Sequence, residues 1–393
     1  MKFPKRLGLI FCSLCLFLTT SGTLAQEAQE TPSASAWQEL PSPDVGTGMI
    51  REPKLLSVGS KFHLVWAGTT SQIRNPELMH STISGGDDEW KSPRAPFFGQ
   101  NKGRVRKVSI GKTRNLMAVL FQRSLRQGND AYEVLLTFSS DQGWSWSSTI
   151  EIDSYVADKT GGTTVSVAGR QGSNRPEFAM AWAREFGNIR AANFDINSSL
   201  RPEGTLIGEH TPDAPKAEVG ALGRNGFSVV FNNGVGLATA HVKALIGKIE
   251  EGSVFLRGRF GDFFAVASLP SGPSRLAVGT GRTIEAFTSN ELSWKNDSQA
   301  GTLPFDASGI TIEADMDERK NLHVVMVRTV GKKVELWYIG QRDKRWGEAE
   351  LVHAYDKETT IHGFDIAATK DYALIAASEG FKAKFFRRRL KKK

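Results

Sequence analysis

Pro53-Lys-Leu-Leu-Ser-Val-Gly59 runs into Ser60 and then Lys61-Phe-His-Leu-Val-Trp-Ala67, and this pair of runs sets the reading of the whole chain. Both are short and apolar, a Gly-Ser turn signal separates them, and neither carries a helical period. The second run recurs in kind. It returns as Asn115-Leu-Met-Ala-Val-Leu-Phe121, Glu177-Phe-Ala-Met-Ala-Trp-Ala183 and Gly226-Phe-Ser-Val-Val-Phe-Asn232. Arg275-Leu-Ala-Val-Gly-Thr280, Asn321-Leu-His-Val-Val-Met-Val327 and Asp371-Tyr-Ala-Leu-Ile-Ala-Ala377 complete the series, at intervals of 46 to 62 residues. Partner runs such as Val165-Ser-Val-Ala-Gly169 and Glu218-Val-Gly-Ala-Leu-Gly223 precede them. Apolar runs bounded by Gly and Asn are strands buried on both faces, and a repeat of this period is a propeller blade. The expected fold is all-β, a β-propeller of seven blades, with six blades and an extra hairpin as the alternative because the fourth and fifth units are short. The last unit runs out of chain after Phe385, so Trp37-Gln-Glu-Leu40 is expected to supply its outer strand and close the ring.

Outside the ring the chain divides simply. Lys2, Lys5 and Arg6 precede an apolar run from Leu7 to Leu18, and Thr23-Leu24-Ala25 offers a small-residue cleavage site. Residues 1–25 therefore read as a signal peptide, 26–36 as a flexible leader, 37–386 as one propeller domain and 387–393 as a basic tail. The expected location is secreted or periplasmic. The apolar run is shorter than the ~20 residues a spanning helix needs, so no transmembrane segment is expected in the mature chain. Both cysteines, Cys12 and Cys15, fall in the leader, which removes thiolate catalysis and Cys-type metal sites. The formal charge of +8 is carried by Lys382, Lys384, Arg387, Arg388, Arg389, Lys391, Lys392 and Lys393. A basic end of this kind suits an anionic surface, and it leaves no basic face for nucleic acid.

Ser139-Ser-Asp141-Gln-Gly143-Trp-Ser-Trp146 has the spacing Ser-x-Asp-x-Gly-x-x-Trp. In such a turn the carboxylate accepts backbone N–H groups, Gly takes the positive φ, and the last Trp packs beneath. Asp141 thus reads as a turn staple. Weaker copies stand at Asp195 and Asp343-Lys-Arg-Trp346, with hairpins ending in Trp90 and Trp294. The spacing is the Asp box, and the chain resembles the sialidase-like (BNR-repeat) β-propellers. The resemblance continues through Arg123, Asn129-Asp130 and the box itself. It implies that Asp130 stands where the family keeps its acid/base group and that Glu218 stands for the glutamate activating a tyrosine nucleophile. Arg51 and Arg106 share the place of the first substrate-gripping arginine, and Arg328 stands for the third. The tyrosine is missing at its expected strand start, Ile361-His-Gly-Phe-Asp-Ile366, and Asn232-Asn233 replaces the second arginine.

Residues at the starts of innermost strands share one funnel mouth. Arg51, Arg106, Arg123, Arg184, Arg328 and His362 are expected there as a cationic set able to hold a carboxylate or sulfate in bidentate fashion. The histidines are dispersed with no His-x-x-x-His, and Gly-x-Ser-x-Gly is absent, so no metal, no cofactor and no serine nucleophile are expected. The resulting expectation is a propeller that binds or hydrolyses acidic glycans, an exo-sialidase-type hydrolase if active. The rival reading is a scaffold propeller for protein assembly.

Overall fold

The computed structural model describes residues 36–97, 103–125, 131–156, 164–171, 176–184, 188–196, 202–209, 216–223, 226–243, 248–250, 254–258, 263–290, 293–297, 299–307, 309–355 and 359–391. The expected signal peptide and Asp130 lie outside them. Seven antiparallel sheets follow one another along the chain, each built outward from its first strand. The innermost strands are Ile50–Val58, Gly103–Lys112, Val165–Gln171, Ala217–Ala221, Phe264–Ala267, Thr311–Met316 and Ile361–Ala368, defining blades 1 to 7. The protein is a seven-bladed β-propeller. Blades 4 and 5 have inner strands of only 5 and 4 residues, the shortness that left six blades open in the sequence.

Closure comes from the N-terminal side. Gln38–Leu40 pairs antiparallel with Lys382–Arg389, the third strand of blade 7. Trp37 is buried edge-on against Tyr338 of blade 6, with ring centroids 4.9 Å apart. That last strand continues to Arg389, beyond the domain end expected at residue 386. Arg387 bonds Asp88 at 2.6 Å and Arg388 bonds Glu350 at 2.5 Å, so the first part of the basic end belongs to the ring. Among the described residues no helix is long and apolar enough to cross a membrane.

Apolar side chains gather into seven buried clusters, one at each interface between successive blades. Blade 7 against blade 1, for example, buries Phe62, Leu64, Trp66, Leu374 and Phe385. The channel side is held differently, because an inner strand turns an unpaired backbone edge toward its neighbour. Side-chain oxygens from the preceding blade cap those edges. Ser109 accepts from Val167 N–H at 3.1 Å, Ser166 from Val219 N–H at 3.0 Å and Glu218 from Val266 N–H. Asp315 accepts from Ala368 N–H at 2.8 Å and Asp365 from Leu55 N–H at 2.7 Å.

The Ser139–Trp146 turn joins the third and fourth strands of blade 2. Asp141 accepts from Ser145 N–H at 2.8 Å and from the Ser139 hydroxyl at 2.8 Å, while Gly143 N–H donates to Ser139 at 2.7 Å. Hydrogen bonds from Ser145 hold the Asp141 carboxyl down at about 2. Gly143 has φ +81°, and a Cβ there would lie 2.3 Å from His80 Cε1. The turn therefore seats on blade 1 only with glycine at this position.

Candidate functional site

Three neighbouring inner strands lose register at the same level, near their starts. The shift falls between Arg51 and Lys54 in blade 1, Val105 and Lys107 in blade 2, and Ile361 and Gly363 in blade 7. A bulge re-aims the extra residue, so Glu52-Pro53, Arg106 and His362 are turned out of the ladder together at one mouth of the channel. Glu52 takes φ 50°, uncommon for a residue with a side chain. A Cβ on Gly363 would lie 2.8 Å from Glu52 Cα, so glycine lets blade 7 close on this bulge.

The side chains around these bulges are mostly cationic. Lys107 donates to Glu52 at 2.6 Å. The Arg51 guanidinium lies 5.7 Å from the Phe381 ring centroid, and Ile50 N–H bonds Phe381 O at 3.0 Å. Phe381, at the tip of the blade 7 hairpin, is 63% exposed. Arg106 is exposed, with Nε donating to the Ser124 hydroxyl at 3.2 Å. Burial, then Arg51 and Lys107, lower the His362 pKa against the pull of Glu52. The imidazole is therefore neutral at pH 7 and carries one donor and one acceptor.

Beneath the mouth the channel is crossed by buried charges around a cavity of about 280 Å³. Lys54 donates to Glu313 at 2.8 Å and lies 4.0 Å from Asp365. Lys216 pairs with Glu218 at 2.9 Å and reaches Ile312 O at 2.8 Å. Burial opposes the charge on Lys54, yet Glu313 and Asp365 outweigh it and raise its pKa. Burial, aided by Glu313, lifts Asp365 to about 7, and burial likewise raises Glu218 against Lys216. These groups tie blades 1, 4, 6 and 7 across the axis.

The expected ligand-binding residues separate into two groups. Arg51, Arg106 and His362 share the bulged rim of blades 1, 2 and 7. Arg123, Arg184 and Arg328 do not join them, because each already has a carboxylate partner, from cross-strand register for Arg123 and Arg328 and from the neighbouring blade for Arg184. Arg123 sits opposite Glu133 and bonds it at 2.6 Å. Arg328 sits opposite Glu335 at 3.5 Å, with its guanidinium 4.8 Å from the Phe305 centroid. Arg184 bonds Asp153 at 2.8 Å. Glu218 is engaged by Lys216 and Val266 inside the channel, away from the rim. Glu52, Lys107 and Phe381 complete the rim and were missed. The Arg51-Glu-Pro53 sequence carried a signal for the bulge, since proline cannot donate to a ladder.

The described ring shares its fold with sialidases. It superposes on the Hadza microbial sialidase Hz136 with TM-score 0.50 and 11% identity, covering 87% of this chain and 66% of that one. It superposes on the phage phi92 endosialidase with TM-score 0.51 and 8% identity (91% and 69% covered). For the K499G mutant of NanB sialidase from Streptococcus pneumoniae the values are 0.50 and 10% (93% and 72% covered). The chain thus spans just under two thirds of the length of Hz136. No protein-family model matches the sequence, and no curated protein matches it.

All five tyrosines stand off the channel. Tyr372 is on a second strand, Tyr132 and Tyr338 on third strands, and Tyr155 and Tyr355 on outer strands. Among the described residues no group of three or more His, Cys, Asp or Glu is placed to hold a metal ion.

Proposed function

We propose that this chain is a sialidase-like propeller that binds an acidic glycan at the rim of blades 7, 1 and 2 without cleaving it, in the secreted or periplasmic setting that its N-terminal segment implies. One observation carries the reading: three aligned bulges put Arg51, Arg106, Lys107 and His362 around one mouth beside the exposed ring of Phe381. Guanidinium groups suit a sugar carboxylate, neutral His362 suits a hydroxyl, and Phe381 suits the apolar face of a pyranose. Binding is favoured over turnover because no tyrosine lies on an inner strand and Glu218 is already paired. Among the described residues the exposed large apolar side chains (Trp144, Val156, Leu206, Val235, Val330 and Phe381) come singly from several blades and form no patch that would favour the scaffold reading.

Calorimetry with an α-sialoside and its neutral asialo counterpart tests the proposal. The sialoside is expected to bind and the neutral sugar to bind at least tenfold more weakly. Arg106→Ala is expected to cost about 1.5–3 kcal/mol, the range for a hydrogen bond to a charged group. Equal affinity for the two sugars would refute the acidic specificity. Turnover of a chromogenic sialoside that Asp130→Asn abolishes would replace binding by hydrolysis, with Asp130 as the acid/base.

A further inference from the structure

Several arginines of the ring are paired. Arg123, Arg170, Arg184, Arg275, Arg328 and Arg388 each hold a carboxylate. A cavity of about 480 Å³ at the junction of blades 1 and 2 breaks the pattern. Lys61, Lys91 and Arg94 line it, and among the described residues none of the three has a carboxylate partner. Asp141 lines it too, but its oxygens are occupied by Ser139 and Ser145.

The cations are held in place by the sheet. Lys61 opens the second strand of blade 1, opposite Val58 and Ser84. Lys91 N–H donates to Thr82 O at 2.8 Å, and Arg94 exchanges both backbone bonds with His80 at 2.9 Å. Lys91 and Arg94 thus lie outside the third strand of blade 1 and Lys61 on its inner side, and the side chains of all three line the same cavity. The Arg94 guanidinium is further fixed 3.9 Å above the ring of Trp144, which is 72% exposed.

Two buried histidines form the cavity floor. His63 Nδ1 and His80 Nε2 are 3.2 Å apart, and His63 Nε2 has no hydrogen-bond partner among the described residues. Burial, with neighbouring cations, depresses both pKa values, to about 3 for His63 and about 4 for His80. Both rings are then neutral, and one tautomer of the pair leaves His63 with an N–H lacking an acceptor. An anionic group in the cavity would stand among three cations that have no carboxylate partner.

We propose that this cavity is a second ligand site, taking the sulfate or carboxylate group of an anionic saccharide. Its size suits one or two sugar rings, whereas an extended polyanion asks for a groove. It is distinct from the rim described above and rests on none of the residues there. Arg51 and Lys61 mark opposite ends of one hairpin, roughly 20 Å apart at about 3.3 Å per residue.

The test is calorimetry at 150 mM salt with four probes: a sulfated tetrasaccharide, a galacturonate tetrasaccharide, inorganic sulfate and a thymidine oligonucleotide of matching charge. One or both saccharides are expected to bind, and the tighter one names the anionic group. Lys61→Gln/Lys91→Gln/Arg94→Gln is expected to weaken that binding at least tenfold. Lys61→Gln/Lys91→Gln, which keeps the Arg94–Trp144 stack, is expected to weaken it at least threefold. Lys333→Gln/Lys344→Gln/Lys382→Gln, an equal loss of charge elsewhere, is expected to leave it unchanged. No saccharide binding, equal loss in the remote triple variant, or equal affinity for sulfate alone or for the oligonucleotide would overturn the proposal.

Discussion

Replacing Lys54 by Met removes one charge from the channel and strands two. Lys54 lies 2.8 Å from Glu313 and 4.0 Å from Asp365, with side chains 23%, 19% and 11% exposed. Removing one partner of a buried ion pair costs ~3–5 kcal/mol, and the partial exposure of this pair places it near 3. In a ring of this size that is about 5 °C in Tm. The cost depends on pH in a direction the neighbours fix. Asp365 already sits at about 7 in the folded protein, and losing Lys54 raises it further. The folded variant therefore holds protons that the unfolded chain, with a carboxyl pKa of about 3.9, has released. Its stability falls as pH rises through that window, so the gap to wild type is widest at pH 8 and narrows toward pH 5. Equilibrium urea unfolding at pH 5, 6.5 and 8 measures it. Lys54→Met/Glu313→Leu, which removes both charges, is expected to recover more than half of the loss at pH 8. A single variant as stable as wild type, or a gap that ignores pH, would refute the reasoning.

Other perturbations test the ring and its turn. Trp37→Ala is expected to cost about 3 kcal/mol, since it empties a buried indole site at the closure, and urea midpoints would register it. Gly143→Ala combines an unfavourable φ with a clash on His80 and is expected to cost about 2–4 kcal/mol in thermal melts. Asp141→Ala removes the turn's acceptors and is expected to cost about 1 kcal/mol, as a lost cap does. Because that carboxyl titrates at about 2 when folded, its contribution stays constant at neutral pH and fades only as pH falls from about 4 through 2.

Strand identity was legible because it is local. Runs such as Glu177–Ala183 are apolar on both faces, and a strand buried between two blades needs nothing else. Closure through Trp37 was legible for the same reason, as an isolated apolar segment facing an incomplete last unit. Charge pairing was only half legible. Arg123 with Glu133 and Arg328 with Glu335 are cross-strand neighbours on consecutive strands, so alternation along each strand could have predicted their pairing. Lys54 with Glu313 could not be read, since 259 residues separate them and only ring closure brings them together. Glu218 looked like catalytic equipment in sequence because a carboxylate on an inner strand has two uses. Here it caps the backbone edge of blade 5 and balances Lys216. The bulges were the hardest feature to see, since register is a relation between two strands and Val105-Arg-Lys107 carries no local mark of it.

The most direct measurement is a crystal structure of the protein soaked with a sialylated disaccharide. Sugar density is expected at the mouth formed by blades 7, 1 and 2, with its carboxylate on Arg51 or Arg106 and a ring face against Phe381. Density confined to another part of the ring, or an empty rim at saturating ligand, would contradict that placement.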